Sequence, residues 1–283
     1  MVLDALRLDV RGFAFDGIAA GPADGPLVLL LHGWPQFADS WSSVATGLGA
    51  AGYRAVAIDQ RGYSSGARPL EVSAYAIDEL TADVAAFADA LSRERFHLVG
   101  HDWGGIVGWA FAAAHPERLA SFVSLATPHP TALVRARATD SDQQAKTAYV
   151  DFFRLPGGVA EKTLLAGDGA KLRAIYGGIV APDEVESNLR RLSGPGALTA
   201  VLNWYRAFGF DESVGTTAVP TRYIWGDKDL ALGERAARAT VDFVLGPYRF
   251  DVFEGVSHWI VDEVPDRALA AVREHLAAYP LTA

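Results

Sequence analysis

The stretch FHLVGHDWGGIVGWAFAAAH, residues 96 to 115, leaves the backbone few choices. FHLV reads as a buried strand and GIVGWAFAAAH as a helix, and no loop separates them. A chain that passes from strand to helix within a few residues must bend sharply. Glycines at 100 and 104 suit that bend, which lifts the central side chain, Asp102, above the end of a sheet.

Other short apolar runs share this character. PLVLLLHG (26 to 33), YRAVAID (53 to 59) and LASFVSLAT (119 to 127) are separated by amphipathic text, as expected of a parallel sheet buried on both faces with helical crossovers. LRLDVRGFAFDGIAAG alternates about Gly12 and predicts an antiparallel pair at a sheet edge. TRYIWGD (221 to 227) and YRFDVFEG (248 to 255) supply two further strands, with helices near 233 to 243 and 265 to 278. The total is an eight-stranded α/β sheet. From 128 to about 218 the strand pattern gives way to polar helical text, which predicts a helical insertion over the carboxyl ends of the strands. A ligand cleft belongs between the two.

Composition removes several kinds of chemistry. The chain has no cysteine, so thiolate nucleophiles, thiolate metal sites and disulfides are excluded. A net charge of −9 without a basic run argues against nucleic acid. The opening MVLDALRLDVRG resembles neither a secretory signal nor a membrane span, and the expected location is cytoplasmic.

Two familiar patterns sit in the wrong context. Gly47-Leu48-Gly49-Ala50-Ala51-Gly52 matches GxGxxG, but a helix precedes it and a strand follows, the reverse of a dinucleotide site. Gly62-Tyr63-Ser64-Ser65-Gly66 matches GxSxG, yet Asp59, Gln60 and Arg61 separate it from its strand.

Asp102 satisfies the context that Ser64 fails. A carboxylate in an elbow can displace at a saturated carbon and leave an ester whose carbonyl stays on the protein, open to later attack by water. The substrate then carries an electrophilic sp³ carbon, as in an epoxide or alkyl halide. The bland reading is an Asp that caps the next helix, which does not account for the flanking glycines.

HGWPQ (32 to 36), DQRGYSSGARP (59 to 69), GHDWGG (100 to 105), WGDKD (225 to 229) and SHW (257 to 259) together resemble the α/β-hydrolase superfamily, in its epoxide hydrolase and haloalkane dehalogenase branch. The resemblance implies the α/β-hydrolase fold, an eight-stranded mostly parallel sheet flanked by helices, with a helical cap inserted after the sixth strand. Residues 1–127 and 219–283 form the core domain and 128–218 the cap. It implies Asp102 as nucleophile and His258, after the last strand, as base. Asp229 is the orienting acid, with Asp227 the competitor. Backbone N–H groups of Trp34 and Trp103 form the oxyanion hole. AYVDFFRLPGG and LNWYRAFG are similar to the segments that carry two ring-opening tyrosines, here Tyr149 and Tyr205. Trp34, Phe37, Trp103, Phe152, Phe153 and Trp259 are expected to line the pocket, although a core role for several of them stays open.

The expected activity is hydrolysis of a small apolar epoxide by water, without metal or organic cofactor. A homodimer is compatible with this reading and not specified by it. A haloalkane dehalogenase on the same triad is the main alternative, although Trp34 replaces the asparagine usual in that group. A serine esterase or lactonase using Ser64 and a non-catalytic receptor are the others.

Overall fold

The computed structural model describes residues 2–209 and 214–281. Strands β1 (Asp4–Val10), β2 (Phe13–Ala20), β3 (Leu27–Leu31), β4 (Arg54–Ile58), β5 (Phe96–His101), β6 (Leu119–Leu125), β7 (Thr221–Gly226) and β8 (Tyr248–Phe253) form one eight-stranded sheet. Their order is β1-β2-β4-β3-β5-β6-β7-β8. β1 and β2 pair antiparallel through the turn at Arg11-Gly12, and β2 runs antiparallel to β4. From β4 to β8 every neighbour is parallel.

The apolar runs are continuous because both faces of the sheet are covered. Every residue of β3, β5, β6 and β7 is buried. Alternate side chains serve opposite layers: Leu27, Leu29 and Leu31 of β3 enter one core and Val28 and Leu30 the other. Helices α1 (Ser42–Ala50), α2 (Ile77–Ala90) and α3 (Trp103–Ala114) follow β3, β4 and β5. α2 and α3 cover the first face with Val84, Phe87, Val107 and Phe111, and α1 covers the second with Val44 and Leu48.

Between β6 and β7 lie α4 (Pro130–Thr139), α5 (Ser141–Lys146), α6 (Ala148–Phe153), α7 (Val159–Ile175), α8 (Pro182–Leu192) and α9 (Ala197–Ala207). α7 is interrupted at Ala166 to Gly169 by non-helical backbone. α10 (Glu234–Ala239), α11 (Ile260–Glu263) and α12 (Pro265–Ala278) complete the chain, and α12 packs Val272 and Leu276 beside α1. No helix among the described residues is long and apolar enough to cross a membrane.

Specific bonds fasten the β6–β7 helices to the loops at the carboxyl ends of the strands. The Tyr176 hydroxyl donates to Pro35 O at 2.8 Å, and the Trp204 indole donates to Arg61 O at 2.8 Å. Arg191 on α8 pairs with Asp39 and Asp59 while its guanidinium lies 3.6 Å from the Phe37 ring centroid. Gln36 Nε2 donates to Asp262 at 3.0 Å and to Glu184 of α8 at 3.3 Å.

Both sequence patterns in the wrong context are structural. The Gly47 to Gly52 run is the exit of α1 into β4. Ser64 is buried; its hydroxyl donates to Asp59 O at 2.6 Å and accepts from Asp16 N at 2.9 Å.

Close packing at the elbow explains one glycine directly. A Cβ on Gly104 would collide with the Leu31 carbonyl oxygen, a backbone atom that cannot swing aside. Gly104→Ala is therefore expected to lose about 1–3 kcal/mol of stability by overpacking. Urea denaturation checks this, and a change within about 0.5 kcal/mol, the range of an ordinary surface substitution, would contradict it.

Candidate active site

The elbow holds Asp102 at φ 51° and ψ −119°, a conformation that L-residues adopt only under constraint. Its backbone is pinned from β6, with Asp102 N donating to Leu125 O at 3.4 Å and the Thr127 hydroxyl donating to Asp102 O at 2.8 Å. Beyond its neighbour Trp103, the carboxylate makes no capping bond to the first turn of α3. Capping therefore does not explain the residue.

The two carboxylate oxygens have different neighbours. Oδ1 accepts the Trp34 backbone N–H at 2.7 Å, and the Trp103 N–H also stabilises the anion. The Trp34–Pro35 bond is cis. Oδ2 lies 3.5 Å from His258 Nε2. On its other side His258 Nδ1 donates to Asp229 Oδ2 at 2.8 Å. Asp229 is buried, and its Oδ1 accepts Ala231 N at 2.7 Å and Leu232 N at 2.9 Å, which fixes the carboxylate plane. Asp227 faces elsewhere and accepts Gly255 N at 2.7 Å.

Electrostatics follow from this line of charges. Burial would push the Asp102 carboxyl up, but His258, His101 and the Trp103 N–H outweigh it and hold the group below the ordinary carboxylate range. Burial would pull His258 down, yet Asp229 and Asp102 on either side raise it well above an ordinary histidine. His101 behaves differently. Burial brings it down to about 4, so it is a neutral strut whose Nε2–H donates to the His258 carbonyl at 2.8 Å. His32, pulled by burial to about 3, likewise braces the HGWPQ loop by accepting Gln60 N at 3.2 Å.

Aromatic rings from α6 and α9 close over Asp102. Tyr205 stands edge-on to Trp103 at 4.9 Å and to Phe153 at 5.0 Å between centroids. Tyr149 packs on Phe153 at 5.2 Å and reaches Tyr205 at 6.2 Å. Tyr205 thus stands between the Trp103 ring and Tyr149. Burial, followed by the Asp102 charge, raises the Tyr149 hydroxyl; burial, Tyr149 and Asp102 raise that of Tyr205. Both hydroxyls keep their protons at neutral pH.

A cavity of about 480 Å³ opens above Asp102 and His258. Trp34, Tyr149, Phe152, Phe153 and Trp259 contribute to its wall. Three other side chains from the sequence-based set do not. Phe37 is turned into the core beneath Arg191, edge-on to Tyr63 at 5.3 Å. The Trp103 ring is buried among Trp204, Tyr205 and Phe208, so only its backbone faces the carboxylate. Tyr205 itself is buried behind Tyr149 and Phe153 rather than at the cavity surface. In each case an aromatic residue near the site in sequence is drawn into ring packing, which buries more of it than a cavity wall would.

Lys146, Leu164, Ile175, Ile179 and Leu230 also line the cavity and were not foreseen. They come from α5, α7 and two loops, at no regular spacing. Only Lys146, three residues before Tyr149, had a signal within reach. No group of three or more His, Asp or Glu among the described residues could hold a metal ion.

Comparison with known proteins agrees with this architecture. The family model described as alpha/beta hydrolase fold matches residues 26–265. The chain is 34% identical over 277 residues to the AB hydrolase superfamily protein YfhM of Bacillus subtilis (strain 168), covering 95% of this chain and 96% of that protein. It is 30% identical to Epoxide hydrolase A of Mycobacterium tuberculosis, covering 97% of each. Among solved structures, Epoxide Hydrolase A from Mycobacterium thermoresistibile superposes with a TM-score of 0.85 at 26% identity, covering 99% of this chain and 100% of that one. A structure from work on novel epoxide hydrolases in metagenomes from hot environments gives a TM-score of 0.88 at 27% identity, covering 98% and 99%. With the sheet order, the elbow and the loop after β8 all in place, the chain belongs to the α/β-hydrolase fold family and is an epoxide-hydrolase-like hydrolase.

Proposed function

We propose that this enzyme hydrolyses an epoxide to a vicinal diol through an alkyl ester on Asp102. The observation that carries the reading is the division of labour between the two oxygens of that carboxylate. Oδ1 is held by the Trp34 backbone N–H, and Oδ2 stands beside His258 under a protonated tyrosine.

In the first half-reaction Oδ2 attacks an oxirane carbon and the carbon–oxygen bond opens. Tyr149, on the cavity wall, donates its proton to the leaving alkoxide. Tyr205 stands behind it, 6.2 Å away between ring centroids, and its raised pKa keeps a second proton at the site. The helices spanning 128 to 218 act as the cap that delivers both tyrosines and keeps bulk water out.

Alkylation changes the charge around His258. The anion of Asp102 becomes a neutral ester, which removes one of the two charges that hold the imidazolium proton. That proton passes to the tyrosinate, and the neutral ring, still oriented by Asp229, can deprotonate a water. Water oxygen adds to the ester carbonyl carbon, and the oxyanion at Oδ1 is held by the N–H groups of Trp34 and Trp103. Collapse breaks the bond between the carbonyl carbon and the alkyl oxygen. His258 passes its proton to the departing alkoxide, then takes the remaining proton from the new carboxylic acid, so the Asp102 carboxylate and the His258 imidazolium are both restored as the diol leaves.

The relatives named epoxide hydrolase support this reading over a dehalogenase. A serine esterase is disfavoured because the Ser64 hydroxyl is buried and committed to Asp59 O.

One turnover of styrene oxide in heavy-oxygen water is expected to place the label in the peptide that contains Asp102, with unlabelled diol. Label appearing in diol alone would exclude the ester. In His258→Gln the alkylated peptide should accumulate. Tyr149→Phe should lower the rate of ring opening by about 10²-fold, the low end for loss of a general acid, with a smaller loss in Tyr205→Phe.

The pH dependence follows from the raised His258. Because the folded-state pKa lies above the unfolded value of about 6.5, its ion pairing stabilises fully below that value and fades as pH rises through the folded pKa. Asp102→Asn removes the same charge that alkylation removes, so NMR titration of the His258 ring should show its pKa falling relative to the unmodified enzyme. An unchanged titration would mean that Asp102 does not govern the base.

A further inference from the structure

We propose that Lys146 makes this site selective for epoxides whose apolar body ends in a carboxylate. The inference rests on the epoxide reading of Asp102 and adds the chemistry at the other end of the substrate.

The cavity wall is apolar along most of its extent, with Trp34, Phe152, Phe153, Leu164, Ile175 and Ile179 among its residues. Among the described residues that line it, Lys146 is the one lysine or arginine. Its position is fixed rather than incidental. Gln143, one turn earlier on α5, donates to Ala231 O at 2.9 Å and accepts Gly233 N at 2.8 Å, so α5 is clamped to the loop after β7. That loop carries Leu230 and Ala231, which also line the cavity, and Leu230 is 81% exposed. Lys146, its side chain 23% exposed, therefore sits nearer the rim than Asp102 and His258, at 14% and 11%.

The ammonium is not locked into another task. Its partner is Asp142 Oδ2 at 3.1 Å, an i,i+4 contact on a short helix, and the Asp142 side chain is 61% exposed. The lysine side chain is 23% exposed, so the pair is screened mainly from the acid's side and is weak. A substrate carboxylate arriving from the cavity side meets the same ammonium against an apolar wall, where a charge-assisted bond is stronger than in water. The net charge of −9 works against anions in general, so any preference for one at this site must come from a local cation. The geometry thus divides a substrate into three parts: a ring at Asp102, an apolar body along the wall, and an anion at the rim.

Two measurements test this separately from the epoxide chemistry. Calorimetric binding of para-alkoxybenzoates, lengthened from propoxy to octyloxy, is compared with that of the matching benzamides, none of which can be ring-opened. The best-seated acid should bind about tenfold tighter than its amide, as a charge-assisted hydrogen bond allows. Lys146→Met should abolish that ratio, Lys146→Arg should keep it, and Asp142→Asn should widen it by freeing the ammonium. An acid-to-amide ratio that stays the same in Lys146→Met, or the absence of any preference in the unmodified enzyme, overturns the proposal. The second measurement compares kcat/KM for para-carboxyphenyl glycidyl ether and its carboxamide, and the same ratio is expected through KM. If neither ether is turned over while benzoate binding still follows Lys146, the epoxide reading fails and the carboxylate subsite stands.

Discussion

One carboxylate held in a strained bend organises this molecule. Asp102 occupies positive φ, and the cost of that conformation is met by bonds from β6 and by the packing of β3 against α3. The neighbouring strands then decide what surrounds the carboxylate. β3 leads into the loop that carries the Trp34 N–H, β7 into the turn that carries Asp229, and β8 into the loop that carries His258. Because those strands run parallel, their loops meet at one edge, and a single line forms from backbone N–H through carboxylate and imidazole to carboxylate. Two negative charges flank one ring, so the proton of His258 answers to the charge state of Asp102.

The second layer of the site depends on how the β6–β7 helices are seated. They are tied to the same loops that build the first layer: Tyr176 to Pro35, Trp204 to Arg61, Arg191 to Asp59, and Glu184 to Gln36. Burial raises both carboxyls around Gln36, Asp262 to about 7, so this contact mixes polar and apolar character at the joint. The Tyr149–Tyr205 pair is thereby held against Trp34 and Trp103.

Much of this was legible in the chain because buried parallel strands and a strand-to-helix elbow leave few alternatives. LVLLL, FHLVGH and LASFVSL are buried end to end, and the turn at Asp102 lies where glycines permit it. Asp229 stood apart from Asp227 only through a family pattern, since two carboxylates separated by one residue cannot be told apart by composition. The orientation of aromatic rings was less accessible. Phe37 sits three residues after Trp34 yet turns under Arg191, a partner more than 150 positions away in sequence. Trp103 presents its backbone to Asp102 while its ring packs under α9. Lys146 had only its nearness to Tyr149 to announce it, because its place comes from Gln143 reaching a loop some 90 residues further on.

The helices between β6 and β7 leave from one strand and return to its immediate neighbour. The sheet therefore closes whether that detour is long or short, and its sequence is free to drift without disturbing strand registry. Under the proposed reaction the detour also brings the acid that protonates the leaving group, whereas nucleophile, base and oxyanion donors stay with the sheet. An exchange of that one segment between homologues would alter which bond is broken as well as which molecule fits, so leaving-group chemistry and substrate shape are inherited together.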